Sequence, residues 1–128
     1  MPMQRKSEIV SFFSKMPEVI PLYERIEEKI LERFNDVSIE IKHSQITFKS
    51  KRGFVHVWLP ISKMKSRPEY YVVLSFGLNK KIESSRIAES VETYKNRWMH
   101  HLVIEKPEEL NDELLNWIQE AYLFARNH

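Results

Sequence analysis

Between residues 37 and 59, apolar and polar side chains alternate, which is the pattern of β-strands that bury one face of a sheet. Short polar segments interrupt the alternation twice, so that it divides into runs at 37–41, 46–48 and 54–59. Connections this short join neighbouring antiparallel strands, since a parallel connection needs about a dozen residues or more. The sequence therefore predicts a meander of three strands in this stretch.

The pattern after this meander is less regular. Residues 60–69 include two prolines and predict a loop or a single helical turn. A fourth strand is predicted over 70–78, which is rich in β-branched and aromatic residues. Within the weakly patterned stretch 79–99, residues 86–94 fit either a short helix or an irregular crossing. A closing strand is predicted over 101–105.

Helical periodicity is present at both ends of the chain. From 19 to 34 apolar residues recur three and four positions apart, with Pro21 in the first turn, where a missing amide hydrogen costs little. A shorter helix is predicted over 7–15. Near the C-terminus, apolar positions from 110 to 125 share one helical face, and Asn111 is placed to cap that helix. Helices therefore bracket the predicted strands.

A chain of 128 residues has the size of one domain. We predict a single α+β domain over 1–128, with residues 1–16 as an N-terminal extension helix. Its antiparallel sheet of about five strands is flanked by the N-terminal and C-terminal helices on one face. The side chains predicted on the opposite, open face are Thr47, Lys49, Phe54, His56, Trp58, Tyr71, Val73 and Ser75.

The composition excludes several classes of protein. Cysteine is absent, which removes disulfide scaffolds, thiolate metal sites and cysteine nucleophiles. The two glycines belong to no phosphate-binding fingerprint, and hydrolase and zinc-protease motifs are missing, so we assign no catalytic residue, metal or cofactor. No apolar run approaches the roughly 20 residues of a membrane span, and the N-terminus lacks a secretory signal. We therefore expect a cytoplasmic protein with no membrane partner.

Charge is distributed unevenly, although the net charge is only +2. Between Lys42 and Pro68 there are seven basic residues and no acidic one, whereas the predicted helices hold most of the acid. Basic side chains beside aromatic rings suit a single-stranded nucleic acid or a phosphorylated small molecule, because cations bind phosphate and flat rings stack on bases. The alternative is that the lysines are solvated turn residues and the rings fill the core.

Two further patterns allow catalytic interpretations. Glu40-Ile41-Lys42 has the spacing of a metal-dependent nuclease motif, but no acidic partner is evident on a neighbouring strand. His56 and His101 share the open face if their strands are neighbours, and because imidazole titrates near neutrality, acid–base catalysis is one hypothesis for the protein.

Arg86 and Arg97 present guanidinium forks that hold either an anionic ligand or an acidic side chain of the protein itself.

A diffuse set of residues also resembles a known family. The matching residues are Lys42-His43-Ser44, Ile46, Phe48, Phe54, Val57, Arg86, His101, Leu110-Asn111-Asp112-Glu113-Leu114, Trp117-Ile118 and Ala121-Tyr122. From about residue 17 to the C-terminus, the chain resembles the domain-of-unknown-function family numbered 5655. The resemblance implies a small cytoplasmic α+β domain of bacteria and archaea, found alone or at the C-terminal end of longer proteins, with no assigned activity.

The function expected from these patterns is a non-enzymatic binding module. Its ligand is anionic, either nucleic acid or a phosphorylated or carboxylated small molecule, and it binds on the open sheet face. The predicted ligand-binding residues are Lys49, Lys51, Arg52, His56, Trp58, Tyr71, Arg86, Arg97 and His101. The alternative is a protein-interaction or homodimerisation domain with an apolar patch formed by Phe54, Trp58, Tyr71 and Val73.

Overall fold

The computed structural model describes residues 3–59 and 69–127. Its helices are α1 (Met3–Phe12), α2 (Ile20–Arg33) and α3 (Asp112–Asn127), and its strands are β1 (Ser38–Ile41), β2 (Ile46–Lys49), β3 (Gly53–Trp58), β4 (Val72–Leu78), β5 (Glu89–Tyr94) and β6 (Arg97–Ile104). Short 3-10 turns at Pro17–Val19 and Pro107–Glu109 precede α2 and α3. Residues 60–68 of the predicted loop, with three of the basic residues counted above, lie outside the described residues.

The strands form one antiparallel sheet in the order β1-β2-β3-β4-β6-β5. This confirms the predicted α+β class and the meander, and it adds a sixth strand to the five expected. The last two strands lie in the sheet in the reverse of their order in the chain, since β6 pairs with β4 while β5 lies at the edge. Strands β3, β4 and β6 consequently form the centre of the sheet.

The additional strand corrects the prediction for residues 86–94. Neither a helix nor an irregular crossing forms there, because Glu89–Tyr94 is strand β5. The closing strand is also longer than predicted and begins at Arg97 rather than at residue 101. Five of the six β5 residues are exposed, so this edge strand has no buried face to give its sequence an apolar alternation.

Helices α2 and α3 cover one face of the sheet. Tyr23 of α2 is fully buried, and its ring centroid lies 6.5 Å from that of Phe48 in β2. Helix α3 packs on β3 and β4 and begins with the predicted cap, because Asn111 Oδ1 accepts a hydrogen bond from the amide of Leu114 at 3.1 Å. We call this the covered face and the opposite one the outer face.

The covered face holds the apolar core, as the alternation predicted. Its central residues are fully buried and pair across neighbouring strands, as Ile46 does with Val57 and Val57 with Leu74. One assignment is wrong: Phe54, predicted on the open face, belongs to the core and is 2 % exposed. A register shift between Phe48 and Lys49, opposite the start of β3, interrupts the alternation at this point.

Helix α1 is part of the same core. Ile9 of α1 and Phe13, which directly follows the helix, are buried, and the centroid of the Phe13 ring lies 5.3 Å from that of Tyr23. The N-terminal extension helix therefore packs on the domain, next to strand β1. Among the described residues, none of the helices has the length and apolar character that crossing a membrane requires.

Candidate functional site

The outer face carries a row of polar residues that crosses all six strands. The backbone register places one member on each strand, in the order Glu40, Thr47, His56, Ser75, His101 and Glu89. Thr47 and Ser75 are buried, at 3 % and 2 % exposure. A buried hydroxyl is costly unless it is hydrogen-bonded, so the partners of these two side chains determine what the row can do.

Ser75 links Trp58 to His101. The indole Nε1–H of Trp58 donates to Ser75 Oγ at 2.8 Å, and Ser75 Oγ lies 2.6 Å from Nδ1 of His101. Because an indole nitrogen can only donate, the hydroxyl hydrogen of Ser75 is left for His101 Nδ1, and we infer that the neutral imidazole carries its proton on Nε2. The two rings also meet edge to face, with centroids 5.8 Å apart.

Thr47 makes the equivalent connection to His56. Gln45 Nε2 donates to Thr47 Oγ1 at 3.3 Å, and Thr47 Oγ1 lies 3.0 Å from His56 Nδ1. The Thr47 oxygen already accepts one hydrogen bond, so its own hydrogen is available for the imidazole. The same tautomer follows for His56 as for His101, with Nε2–H left as a donor.

Both imidazoles are held in the neutral form. Burial, reinforced by the charges of Lys42 and Arg97, lowers the pKa of His56 from 6.5 to about 4. Burial also lowers the pKa of His101, and the neighbouring carboxylate of Glu89 opposes this shift. At neutral pH, the row therefore offers two uncharged N–H donors and no imidazolium.

The two imidazoles and Ser75 lie at the floor of a cleft of about 1050 Å³. The floor residues are His56, Trp58, Ser75, Met99 and His101. One wall comes from α1 and the residues after it, including Phe12 and Lys15, and another from the β1–β2 turn at 42–45. The fold thus turns part of the outer face into a concave surface with an aromatic ring, two imidazoles and basic side chains around it.

Three of the predicted ligand-binding residues meet in this cleft, namely His56, Trp58 and His101. Three others belong to the opposite end of strand β3: Lys51 and Arg52 lie in the β2–β3 turn, and Arg97 begins β6 at the same end of the sheet. The predicted cations therefore do not form one patch around Trp58.

Lys49 lies near the β1 edge of the outer face and has a partner. Its Nζ is 3.6 Å from Oε2 of Glu40, and Lys42 Nζ lies 3.0 Å from the other oxygen of the same carboxylate. These two contacts lower the pKa of Glu40, with Lys42 contributing most. The Glu40-Ile41-Lys42 pattern is thus occupied by an ion pair, and among the described residues no group of three metal-ligating side chains comes together.

Arg86 lies away from the cleft and holds the start of α3. It donates to Asn111 Oδ1 at 2.9 Å, to Glu113 Oε1 at 3.0 Å and to the carbonyl oxygen of Glu109 at 2.5 Å. Its guanidinium carbon also lies 5.9 Å from the centre of the Trp117 ring. Of the two uses that the sequence allowed for this arginine, the structure has the internal ion pair, and Arg86 does not line the cleft.

The predicted apolar patch is largely buried. Tyr71 and Phe54 are each 2 % exposed and Val73 is 7 % exposed, which leaves Trp58 as the partly exposed member. The Tyr71 ring is consequently not presented to a ligand, although the sequence placed it among the stacking residues.

His100 and His101 point to opposite sides of the sheet, because successive side chains of a strand alternate between its faces. His100 is fully buried on the covered face, where it stacks on Phe76 with ring centroids 5.1 Å apart. Its Nε2 accepts a hydrogen bond from the amide of Ile82 at 3.0 Å. His100 therefore fixes the β4–β5 connection and takes no part in the cleft.

Sequence reasoning missed several residues of the site. Thr47 and Ser75 were placed on the correct face but were not counted as functional, although they orient both imidazoles. A hydroxyl residue within a β-branched or aromatic strand was the available signal, because a buried hydroxyl needs a partner. Met99 and the wall contributed by Phe12 had no comparable signal.

Comparisons with known proteins place the chain in a family but assign it no activity. No curated protein and no solved structure matches it. A scan against protein families matches residues 9–125, almost the whole chain, to the family described as Domain of unknown function (DUF5655). The match begins eight residues earlier than the sequence pattern suggested and so includes part of α1. The protein belongs to the DUF5655 family.

Proposed function

We propose that this protein is a non-enzymatic binding module whose cleft takes a small anionic molecule with a flat apolar part. The observation that carries the proposal is the pair of neutral imidazoles at the cleft floor, each with a hydroxyl group on Nδ1. In this tautomer, Nε2–H donates to oxygen atoms of a ligand. A neutral donor held in place by its neighbours costs little reorganisation when the ligand binds.

The electrostatic environment supports an anion. The charges of Lys42 and Arg97 both act on His56, and Lys15 lies in the cleft wall. The cleft lining also includes the acidic side chain of Glu8, so only part of the lining is positively charged. The partly exposed Trp58 ring supplies the apolar surface on which a flat group packs.

A small molecule is favoured over nucleic acid because of how the cations are arranged. A single strand needs a basic track with stacking rings along it. Here Lys51 and Arg52 lie at one end of β3 and Lys42 at the other, Lys49 is paired with Glu40, and the Tyr71 ring is buried. A concave cleft is the usual form of a small-molecule site.

The proposal is tested by nitrogen-15 NMR on the full chain. The probes are adenosine monophosphate and benzoate, which join a flat ring to a phosphate or a carboxylate, and a twelve-nucleotide oligo(dT). The Trp58 indole N–H signal, assigned with Trp58→Phe, and the His101 imidazole signals are followed during titration. We expect saturable shifts of both with at least one small probe, because both groups lie at the cleft floor.

A matched pair of variants tests the location of binding. His101→Gln removes a floor donor, whereas His43→Gln changes an exposed histidine at the rim. We expect the first substitution to weaken binding about tenfold and the second to have a smaller effect. Absence of any saturable shift at millimolar probe overturns the proposal. A response to oligo(dT) alone, weakening steeply with salt, favours a nucleic-acid ligand instead.

A further inference from the structure

The two glycines of the chain line the same small cavity. The cavity measures about 80 Å³ and lies at the end of the sheet opposite the β1–β2 turn, where Gly53 begins β3 and Gly77 is near the end of β4. Neither glycine has a positive φ, so neither is required for its backbone conformation. What matters at these two positions is the absence of a side chain, which leaves the cavity open.

A side chain at either position would narrow this space. A Cβ atom on Gly53 would lie 2.8 Å from Thr47 Cγ2 and 3.3 Å from His56 Cε1. One on Gly77 would lie 3.1 Å from Met99 Sδ and 3.7 Å from Arg97 Nε. Both glycines thus keep open the space beside His56 and Arg97.

The polar groups around the cavity are suited to an anion. Arg52 and Arg97 are the charged residues of its described lining, which includes no acidic side chain. His56 also lines it, and its Nε2 lies 3.9 Å from the position of a Cβ on Gly53, so the donor edge of the imidazole faces this glycine. Arginine binds phosphate and carboxylate oxygens through paired N–H donors.

The size of the cavity limits what it can hold. At about 80 Å³, the space has room for a single phosphate or carboxylate group. Apolar side chains of α3, among them Ala121 and Phe124, form the remaining wall. His56 and Met99 line both this cavity and the large cleft, so the two spaces adjoin.

We propose that the cavity between Gly53 and Gly77 binds one oxyanion, held by Arg97 and the Nε2–H of His56, and that this oxyanion is the terminal group of the molecule bound in the cleft. The second part rests on the proposed function. Together they define the ligand class as an elongated molecule with a flat apolar body and a phosphate or carboxylate at one end.

The test uses inorganic phosphate and acetate as separate probes on the full nitrogen-15-labelled chain at constant ionic strength. The signals followed are the amides of Gly53 and Gly77 and the Nε–H of Arg97. We expect saturable shifts with one of the two anions, and the anion that binds identifies the terminal group. Linear shifts that never saturate with either anion would overturn the inference.

Three variants locate the anion. Arg97→Gln removes a donor from an exposed position, and Gly77→Ala narrows the cavity against the flexible end of Met99. Arg25→Gln is the control, because it removes the same charge from an exposed position on α2. We expect the first two to weaken binding about tenfold or more and the control to leave it within about twofold. Equal effects of Arg97→Gln and Arg25→Gln would show general charge attraction and refute the site.

The readouts separate this inference from the proposed function. Phosphate or acetate shifts at Gly77 test the cavity alone, whereas shifts of the Trp58 indole with a ring-bearing probe test the cleft. If the Gly77 signal shifts with phosphate or acetate and the Trp58 indole signal shifts with no ring-bearing probe, the oxyanion site stands and the proposed ligand class is wrong. If the Trp58 indole signal shifts with a ring-bearing probe, and Arg97→Gln weakens neither the binding of that probe nor the binding of phosphate or acetate, the oxyanion site is refuted. The proposed binding in the cleft then still stands.

Discussion

The Oγ atom of Ser75 lies 2.6 Å from Nδ1 of His101 and simultaneously accepts the indole N–H of Trp58 at 2.8 Å. One buried oxygen on the central strand β4 therefore fixes the orientation of two rings that come from the neighbouring strands. The cleft depends on a side chain that is itself almost inaccessible to a ligand. This relationship makes the contribution of Ser75 measurable without knowledge of the ligand.

Replacement of Ser75 by alanine is expected to lower the free energy of unfolding by about 1–3 kcal/mol. The substitution leaves the Trp58 N–H and His101 Nδ1 without their shared partner, and an unsatisfied buried polar group costs about this much. Urea unfolding measures the loss. Ser38→Ala on the exposed edge of the sheet is the control and should change stability by less than about 0.5 kcal/mol. Equal stability of the two variants would contradict the hydrogen-bond assignment.

Stability should decrease in acid because of His56. Its pKa is about 4 in the folded protein, against an ordinary value of 6.5 that applies to the unfolded chain, so the unfolded chain binds more protons between these limits. The stabilisation is complete above about pH 6.5 and is lost as the pH falls towards 4, with a decrease of about 2 kcal/mol between pH 7 and pH 5.

The variant His56→Gln removes this part of the pH dependence. Urea unfolding at the two pH values should show a difference in unfolding free energy that is smaller by about 2 kcal/mol than in the wild type. The exposed His43→Gln serves as the control and should keep the wild-type difference. An unchanged difference in His56→Gln would show that this imidazole is not held neutral by the fold.

Arg86 is expected to matter for stability and not for binding. Its side chain is 25 % exposed and loses three hydrogen bonds when replaced by glutamine, so the free energy of unfolding should fall by about 2 kcal/mol. Arg97→Gln should show the reverse, with little loss of stability and weaker anion binding. Thermal unfolding and the probe titrations distinguish the two. A stable Arg86→Gln variant that no longer binds the probes would restore Arg86 to the site.

The two glycines should respond differently to alanine. At Gly53 the new Cβ would meet the β-branched and buried Thr47 at 2.8 Å, whereas at Gly77 it would meet the sulfur of Met99 at 3.1 Å. A methionine side chain can rotate away, but Thr47 is held by its packing and its hydrogen bonds. We expect Gly53→Ala to lose about 1–3 kcal/mol and Gly77→Ala less than about 1 kcal/mol, measured by urea unfolding.

The sequence predicted the elements whose residues follow a regular pattern or a clear composition. The alternation in β1 to β3 and the helical periodicity of α2 and α3 arise because each has one face on the core, whereas β4 is buried on both faces and was predicted from its β-branched and aromatic residues. Strand β5 has no such face, since Val91 is 41 % and Tyr94 70 % exposed, and its pairing with β6 is visible only in three dimensions. The assignment of Phe54 failed for another reason, because a register shift displaced it from the simple alternation.

Three side chains of the candidate site were predicted from the sequence, but their connections were not. His56, Trp58 and His101 were identified because their residue types suit binding and their strands were correct. The link through Ser75 depends on β6 pairing with β4, which local sequence does not determine. The partners of Lys49 and Arg86 also come from other elements, so the charge pattern alone overestimated the cations available to a ligand.

The position of β6 between β4 and β5 has a consequence for biosynthesis. The chain leaves β4, builds the outer strand first, and only afterwards supplies the segment that carries His101. A protein is made from its N-terminus, so Ser75 emerges from the ribosome before its partner His101 does. Until β6 inserts, a nascent chain therefore has one imidazole of the cleft floor and an unpaired edge on β4, which is the stage at which chaperone protection would matter most.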